Sequence, residues 1–355
     1  MRGIRAAGLA VFAIVVVGFL ARPASGAGLT VTPDRNPAAA GVPVVFKIVP
    51  AVTATNDTVS FTFGDGGSAT LAYSTSCALF GGCDSISHAY AGAGVFQVAA
   101  SGTIGGQSVS GGTEVSVTAA AADDEIYVPA CAHVDGFNQS RWRTDLELHN
   151  PGSTEARFQV LLLEFGKDNL QARSVDVTLP PDYSVSRVDA LVDLFNFTGT
   201  AALRVVPITG SVMIGGRTYN DQPTGTYGQA VVGTRRAEAI AAGERGRLIG
   251  LFHEPTLTSG YRTAVGLVNA SPADVSVEVK LYNRFGVLLG TVTVPLKAYE
   301  FRQVERVFEQ VFSQAVDGGY AVVRPLTAAS KVFAYASVVD NLTGDPTYVA
   351  ARVER

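Results

Sequence analysis

Phe61-Thr62-Phe63-Gly64-Asp65-Gly66, answered downstream by His88-Ala89-Tyr90 and Gly94-Val95-Phe96-Gln97-Val98, is the stretch on which the fold turns. An aromatic strand that runs into Gly-Asp-Gly reads as a strand ending in a tight turn. Val95, Gln97 and Ala99 alternate with Phe96, Val98 and Ala100, the period of two of a second strand. Composition agrees. Charged residues are 16% of the 355-residue chain, and Gly, Val, Thr and Ser abound, which suits many short strands and turns rather than helices.

Together these motif halves resemble the PKD (polycystic kidney disease) family, an immunoglobulin-like β-sandwich common in extracellular bacterial proteins. The resemblance covers residues 28–118. It implies a framework role for Phe61, Phe63, Gly64, Asp65, Gly66, His88, Tyr90, Gly94 and Phe96, with His88 and Tyr90 as structural groups and not ligands. Two departures stand out. Thr62 occupies a position usually acidic in the family, and the segment Ala69 to Ser87 is longer than usual. Cys77 and Cys83 lie inside that segment and bracket Ala78-Leu79-Phe80-Gly81-Gly82. In an oxidising compartment this spacing reads as a disulfide worth ~2 kcal/mol of loop-closure entropy, while a metal site lacks two further ligands. The stapled loop is the expected contact surface.

The N-terminus points to export. Met1-Arg2-Gly3-Ile4-Arg5 is basic, Ala6 to Ala21 carries no charge, and Ser25-Gly26-Ala27 offers a cleavage site for a signal peptide of residues 1–27. Removing it takes away Arg2, Arg5 and Arg22 and no acid, so the net charge moves from −4 to −7. That balance argues against nucleic acid, whose phosphates need a basic face. No later apolar run has spanning length.

After the Ala-rich stretch 119–125, read as a linker, the chain repeats itself. Trp142-Arg143-Thr144-Asp145-Leu146-Glu147-Leu148-His149-Asn150 is answered by Tyr261-Arg262-Thr263-Ala264-Val265-Gly266-Leu267-Val268-Asn269. Val177-Thr178-Leu179-Pro180 is matched to Val292-Thr293-Val294-Pro295, Arg217–Asp221 to Ser337–Asn341, and Thr226-Tyr227 to Thr347-Tyr348. These define two copies of one antiparallel β module, 126–236 and 247–355, joined through 237–246. Val275, Val277, Val279 and Leu281 alternate with polar residues as a half-buried strand, while Val304, Val307, Phe308 and Val311 recur at helical spacing. Val188, Leu191 and Phe195 repeat that helix in the first copy. Cys131 falls opposite Leu251, so it reads as a small apolar core residue rather than a nucleophile paired with His133. Arg143/Arg262, Asn150/Asn269 and Asp189/Glu305 are polar pairs kept in both copies, as a duplicated binding site or as buried structural contacts.

No catalytic signature is present. The four histidines form no His-Glu-x-x-His, and there is no Gly-x-Ser-x-Gly elbow or phosphate-binding loop. Asp65 with Asp34 or Asp84 could offer oxygens to Ca²⁺, but an Asp bonding turn amides explains Gly-Asp-Gly fully. Trp142, the only tryptophan, makes a weak sugar platform beside core-facing strands. The chain is therefore expected to be all-β: a PKD-like sandwich followed by two homologous sandwich modules, each with one short helix. The expected function is non-catalytic binding or adhesion outside the cell, without cofactor or metal. Its expected partner is an extracellular or envelope protein or polysaccharide. A self-assembling spacer and an accessory of a secreted hydrolase are the alternatives.

Overall fold

The computed structural model describes residues 27–51, 57–74, 84–118 and 122–354. Cys77, Cys83, the loop 78–82 between them and most of the expected signal peptide lie outside the described residues.

The first unit holds β1 (Ala27–Pro33), β2 (Ala38–Ala39), β3 (Pro43–Pro50), β4 (Asp57–Thr62), β5 (Ser68–Tyr73), β6 (Ser85–Ala89), β7 (Gly94–Ile104) and β8 (Gln107–Thr118). One layer runs β5-β4-β7-β8 and the other β1-β3-β6. β1 belongs to both: Ala27 and Gly28 run parallel to Val109 and Ser110, and Leu29 to Pro33 then pair antiparallel with β3. That crossing requires glycine at 111, where a Cβ would fall 1.7 Å from the Leu29 carbonyl oxygen. Alternation along β4 sends Val59 and Phe61 into the core beside Val44, Phe46 and Ile48, and leaves Ser60 and Thr62 outside.

The first copy holds β9 (Ile126–Asp135), β10 (Arg141–Asn150), β11 (Ala156–Glu164), β12 (Ser174–Leu179), β13 (Tyr183–Arg187), α1 (Ala190–Phe195), β14 (Gly199–Thr209), β15 (Met213–Gln222), β16 (Gly225–Ala230) and β17 (Thr234–Arg235). The second holds β18 (Ile240–Ala241), β19 (Arg245–His253), β20 (Tyr261–Asn269), β21 (Val275–Tyr282), β22 (Leu288–Leu296), β23 (Phe301–Val304), β24 (Val316–Pro325), β25 (Lys331–Asp340), β26 (Pro346–Ala350) and β27 (Arg352–Glu354). The order within each layer is the same in both, although β9 also pairs with β10 in the first copy and β18 adds to β25 in the second. The order β12-β11-β14-β9-β17 is matched by β22-β21-β24-β19-β27, and β13-β10-β15-β16 by β23-β20-β25-β26. A short helical segment follows β13 in the first copy and β23 in the second, where it shrinks to a 3-10 turn over Val307–Gln310. Val304, expected in that helix, closes β23 instead.

Two pairs of residues identical in the copies, Thr144/Thr263 and Asn150/Asn269, do the same work in each. Thr144 and Thr263 are fully buried, and each hydroxyl bridges the two sheets. Thr144 Oγ1 accepts the Ala132 N–H at 2.8 Å, and Thr263 Oγ1 accepts that of Phe252 at 3.1 Å. Both donate to the carbonyl of the same residue. Asn150 Nδ2 donates to Thr154 O and Pro180 O while its Oδ1 accepts Gly152 N–H. Asn269 does the same with Ala273 O, Lys297 O and Ser271 N–H. Each buried amide thus closes the turn that follows its strand, where unmet backbone groups would be costly.

Pairing registers correct three of the sequence matches. Pro180 corresponds to Lys297 and Leu179 to Leu296, so the Val-Thr-Leu-Pro match is displaced by two residues, which keeps the same face inward. Ala230, not Tyr227, is the counterpart of Tyr348, because the β15–β16 turn closes differently from the β25–β26 turn. Leu146 opposes Arg187 as Val265 opposes Val304, so Asp189 answers Arg306 rather than Glu305. Both open the helical turn in a left-handed conformation, at φ 50° and 46°.

The stretch 237–246 is no free joint. It contains β18, which pairs with β25, and Ile240 is buried in the second copy's core. The core of the first copy also extends outward to Val42 of the first unit and to Val268, Tyr299, Phe301, Phe333 and Tyr335 of the second copy. Among the described residues no helix is long and apolar enough to cross a membrane.

Candidate functional site between the two copies

The PKD-like residues assemble into an aromatic column. Phe63 lies flat on His88 with ring centroids 4.0 Å apart, Tyr90 meets His88 edge-on, and Phe96 stacks on Tyr90. His88 Nε2 sits 2.7 Å from Asp65 Oδ2, and Asp65 Oδ1 accepts the Gly67 N–H. Burial would raise the Asp65 carboxyl, but the His88 and Gly67 hydrogen bonds outweigh it and hold it below the usual range. Asp34 is taken by Arg35 and the Val45 N–H, and Asp84 by Lys47. No cluster able to hold a metal ion occurs among the described residues.

The loop 165–173, which follows β11, fastens the first copy to both neighbours. The Gln171 side chain accepts the Ala89 N–H at 2.8 Å and donates to the Ala89 carbonyl, imitating a strand partner for β6. Two residues earlier, Asn169 bonds the backbone of Ala298 and Tyr299. Deeper still, Arg204 joins all three units. Its guanidinium forms a bidentate pair with Glu125 at 2.9 and 2.5 Å, donates to Gly41 O at 2.7 Å, and lies 4.1 Å from the Tyr299 ring centre. Tyr127 donates its hydroxyl to the same carboxylate. Burial alone would favour the neutral guanidine, yet Tyr299, Tyr127 and Glu125 together raise it above its ordinary value. A Cβ at Gly41 would strike the Tyr299 hydroxyl, so the close approach needs glycine. At the equivalent position the second copy has Val322, opposite Arg247.

Where the copies face each other they leave a cleft of about 540 Å³. Its lining is mostly apolar, with buried Cys131, Ala264 and Phe301 alongside Phe137, Trp142 and Leu257, while Thr218, Gln229, Ser337, Arg262, Gln303 and Glu305 add polar groups. A smaller polar recess of about 290 Å³, reaching Asn220, Tyr227 and Asn341, shares Phe137 and Arg262 with it. Both volumes suit ligand sites, which favour domain interfaces.

Arg143 and Arg262, equivalent by register, differ in company. Arg143 stands 3.8 Å from Asp135 and 3.9 Å from Asp189. Arg262 donates to Asn341 Oδ1 and has its guanidinium 5.5 Å from the Phe137 ring centre. Among the described residues no carboxylate comes within ion-pair distance of it. Burial lowers its affinity for its proton, an effect that Glu305 opposes and Arg306 reinforces. The same exchange of Asp189 for Arg306 separates the histidines. His133 Nδ1 is held by the Asp189 carboxylate at 2.8 Å. His253 is buried with both ring nitrogens unpartnered and is pushed down, by burial first and then by Arg306. Burial pushes the Cys131 thiol up, and its Sγ lies 3.9 Å from the Val128 carbonyl oxygen.

The architecture is that of a chain of tandem β-sandwich units, the first of them immunoglobulin-like. Residues 28–117 match the PKD domain family. No curated protein sequence matches this chain. Among solved structures, it is similar to carbohydrate-binding modules of the β-sandwich superfamily described for promiscuous specificity, at 12% identity over 91% of this chain and 98% of that one, TM-score 0.22. It is also similar to a tetra-tandem repeat from the extending region of a large adhesion protein, at 14% identity over 92% and 74%, TM-score 0.21. A third likeness is to dimeric latent PorU from Porphyromonas gingivalis, at 10% identity over 92% and 34%, TM-score 0.22.

Proposed function

We propose that this chain is an exported, non-catalytic binding or adhesion protein that engages an extracellular or envelope protein or polysaccharide. Residues 1–27 serve as its signal peptide, and 28–118, 126–236 and 247–355 are its three sandwich units. One observation carries the reading: the PKD-type unit is not tethered loosely but locked to the duplicated half by Gln171 and Arg204. Three sandwiches fixed in this way present their loops as one rigid surface, the usual place for recognition on such scaffolds. The chemistry of the buried thiol and the His133–Asp189 pair supports binding over turnover. Cys131 is a buried thiol whose ionisation burial opposes, and His133 faces a carboxylate without a partnered nucleophile.

The Cys77–Cys83 loop, with Ala78 to Gly82 between the cysteines, is the first contact surface we assign to this function. Glycan and matrix-protein arrays probed with the full chain test the reading. Binding should appear, and deleting residues 78–82 should weaken it several-fold without moving the unfolding midpoint of the duplicated half. Hydrolysis of casein or a polysaccharide that vanishes on mutating one His, Asp or Ser would overturn it.

A further inference from the structure

The exchange of Asp189 for Arg306 leaves Arg262 without a carboxylate within 4 Å beside a largely apolar chamber, while Glu305 and Asp340 act on it only from farther off. In the first copy, Arg143 faces two carboxylates. In the second, Arg262 faces none within 4 Å, and the residue at the Asp189 position adds a second cation to the cleft wall. Arg306 is itself paired with Glu309 and donates to Pro255 O, but its Nε is buried without a partner. Glu305, the remaining charge in the lining, accepts Gln303 Nε2 and is exposed, so it stays hydrated. A half-buried guanidinium with one hydrogen bond and an aromatic ring for company is costly unless an anion joins it. The chamber beyond it offers the opposite chemistry, with methyl, thiol and ring surfaces from Cys131, Ala264, Phe301 and Leu257. Apolar volume ending at an unpaired guanidinium fits a molecule that is apolar along its body and anionic at one end.

We propose that the cleft between the two copies is a second binding site, taking a small amphiphilic carboxylate. Its apolar body fills the chamber lined by Phe137 and Leu257, and its carboxylate pairs with Arg262. This site is independent of the loop surface assigned above, and it concerns a small molecule rather than a polymer. Arg262 sets the preference for an anion, and the chamber supplies affinity.

Decanoate and decanol, equal in chain length and differing in charge, are the probes, titrated into the full chain by calorimetry. Decanoate should bind with a Kd of about 100 µM or better, and decanol at least about tenfold more weakly. Arg262→Gln should remove that tenfold preference by weakening decanoate alone. Leu257→Trp, which narrows the chamber from a surface loop, should weaken both probes while the unfolding midpoint stays put. Equal affinity for the two probes in the native chain would overturn the pairing with Arg262. Decanoate binding untouched by Leu257→Trp would place the ligand elsewhere and overturn the site. Failure of either probe to bind below about 1 mM, or binding of an acidic oligosaccharide in their stead, would also overturn it.

Discussion

The two copies share the strand order of both layers, yet they treat several of the same positions differently where they meet something else. Thr144 and Thr263, or Asn150 and Asn269, make the same bonds in both because those bonds close the module on itself. Arg204 and Val322 occupy one position, as do Asp189 and Arg306. Of these, Arg204 reaches both neighbouring units and Arg306 lines the cleft. The threonines and asparagines that complete the fold are kept, whereas at these two positions the copies have diverged.

The largest consequence falls on Arg204. Removing one member of a buried, hydrogen-bonded ion pair leaves the other charge stranded, so Arg204→Ala should cost about 3–5 kcal/mol in denaturant unfolding. Val322→Ala, at the matching position, should cost far less, and equal losses would erase the distinction between the copies. Next come the internal caps. Asn150→Ala and Asn269→Ala each leave several buried backbone groups unmet, and each should cost about 2–3 kcal/mol. Near-equality is the expected result, and a difference of several kcal/mol would show that the shared asparagines do different work.

A smaller effect separates the histidines by pH. His253 holds its proton more weakly in the folded chain than the ordinary value of 6.5. Below about pH 6.5 the unfolded chain takes up the proton first, so stability falls with acidification until the folded value is passed, by at most about 1.4 kcal/mol per pH unit. His253→Phe should flatten that slope in urea titrations between pH 7 and 5, and an unchanged slope would assign it to other groups. The smallest effect belongs to Cys131→Leu, which installs the second copy's own residue against a cleft able to absorb the extra volume. It should change stability by no more than about 1 kcal/mol.

Much of the fold was legible because its signals are local or repeated. The aromatic column of Phe63, His88 and Tyr90 announces itself through Gly-Asp-Gly and the following strand, and the Arg-Thr and terminal Asn identities expose the duplication. The cleft and the junction were not legible, for physical reasons. Arg204 has no echo at Val322, and its partner Glu125 sits at the end of an Ala-rich stretch that has no pattern of its own. The helical turn hid the exchange of Asp189 for Arg306, since a slip of one residue put Glu305 in its place and made the copies look alike there. Loop register depends on how each turn closes in space, which alternation along the strands does not encode.

Differential scanning calorimetry of the full chain tests the central claim, that three sandwiches are held as one body by a shared core and the Arg204 junction. The native chain should unfold in one transition whose calorimetric and van't Hoff enthalpies agree, and Arg204→Ala should split it. Separate, independent transitions in the native chain, unaltered by Arg204→Ala, would contradict the account.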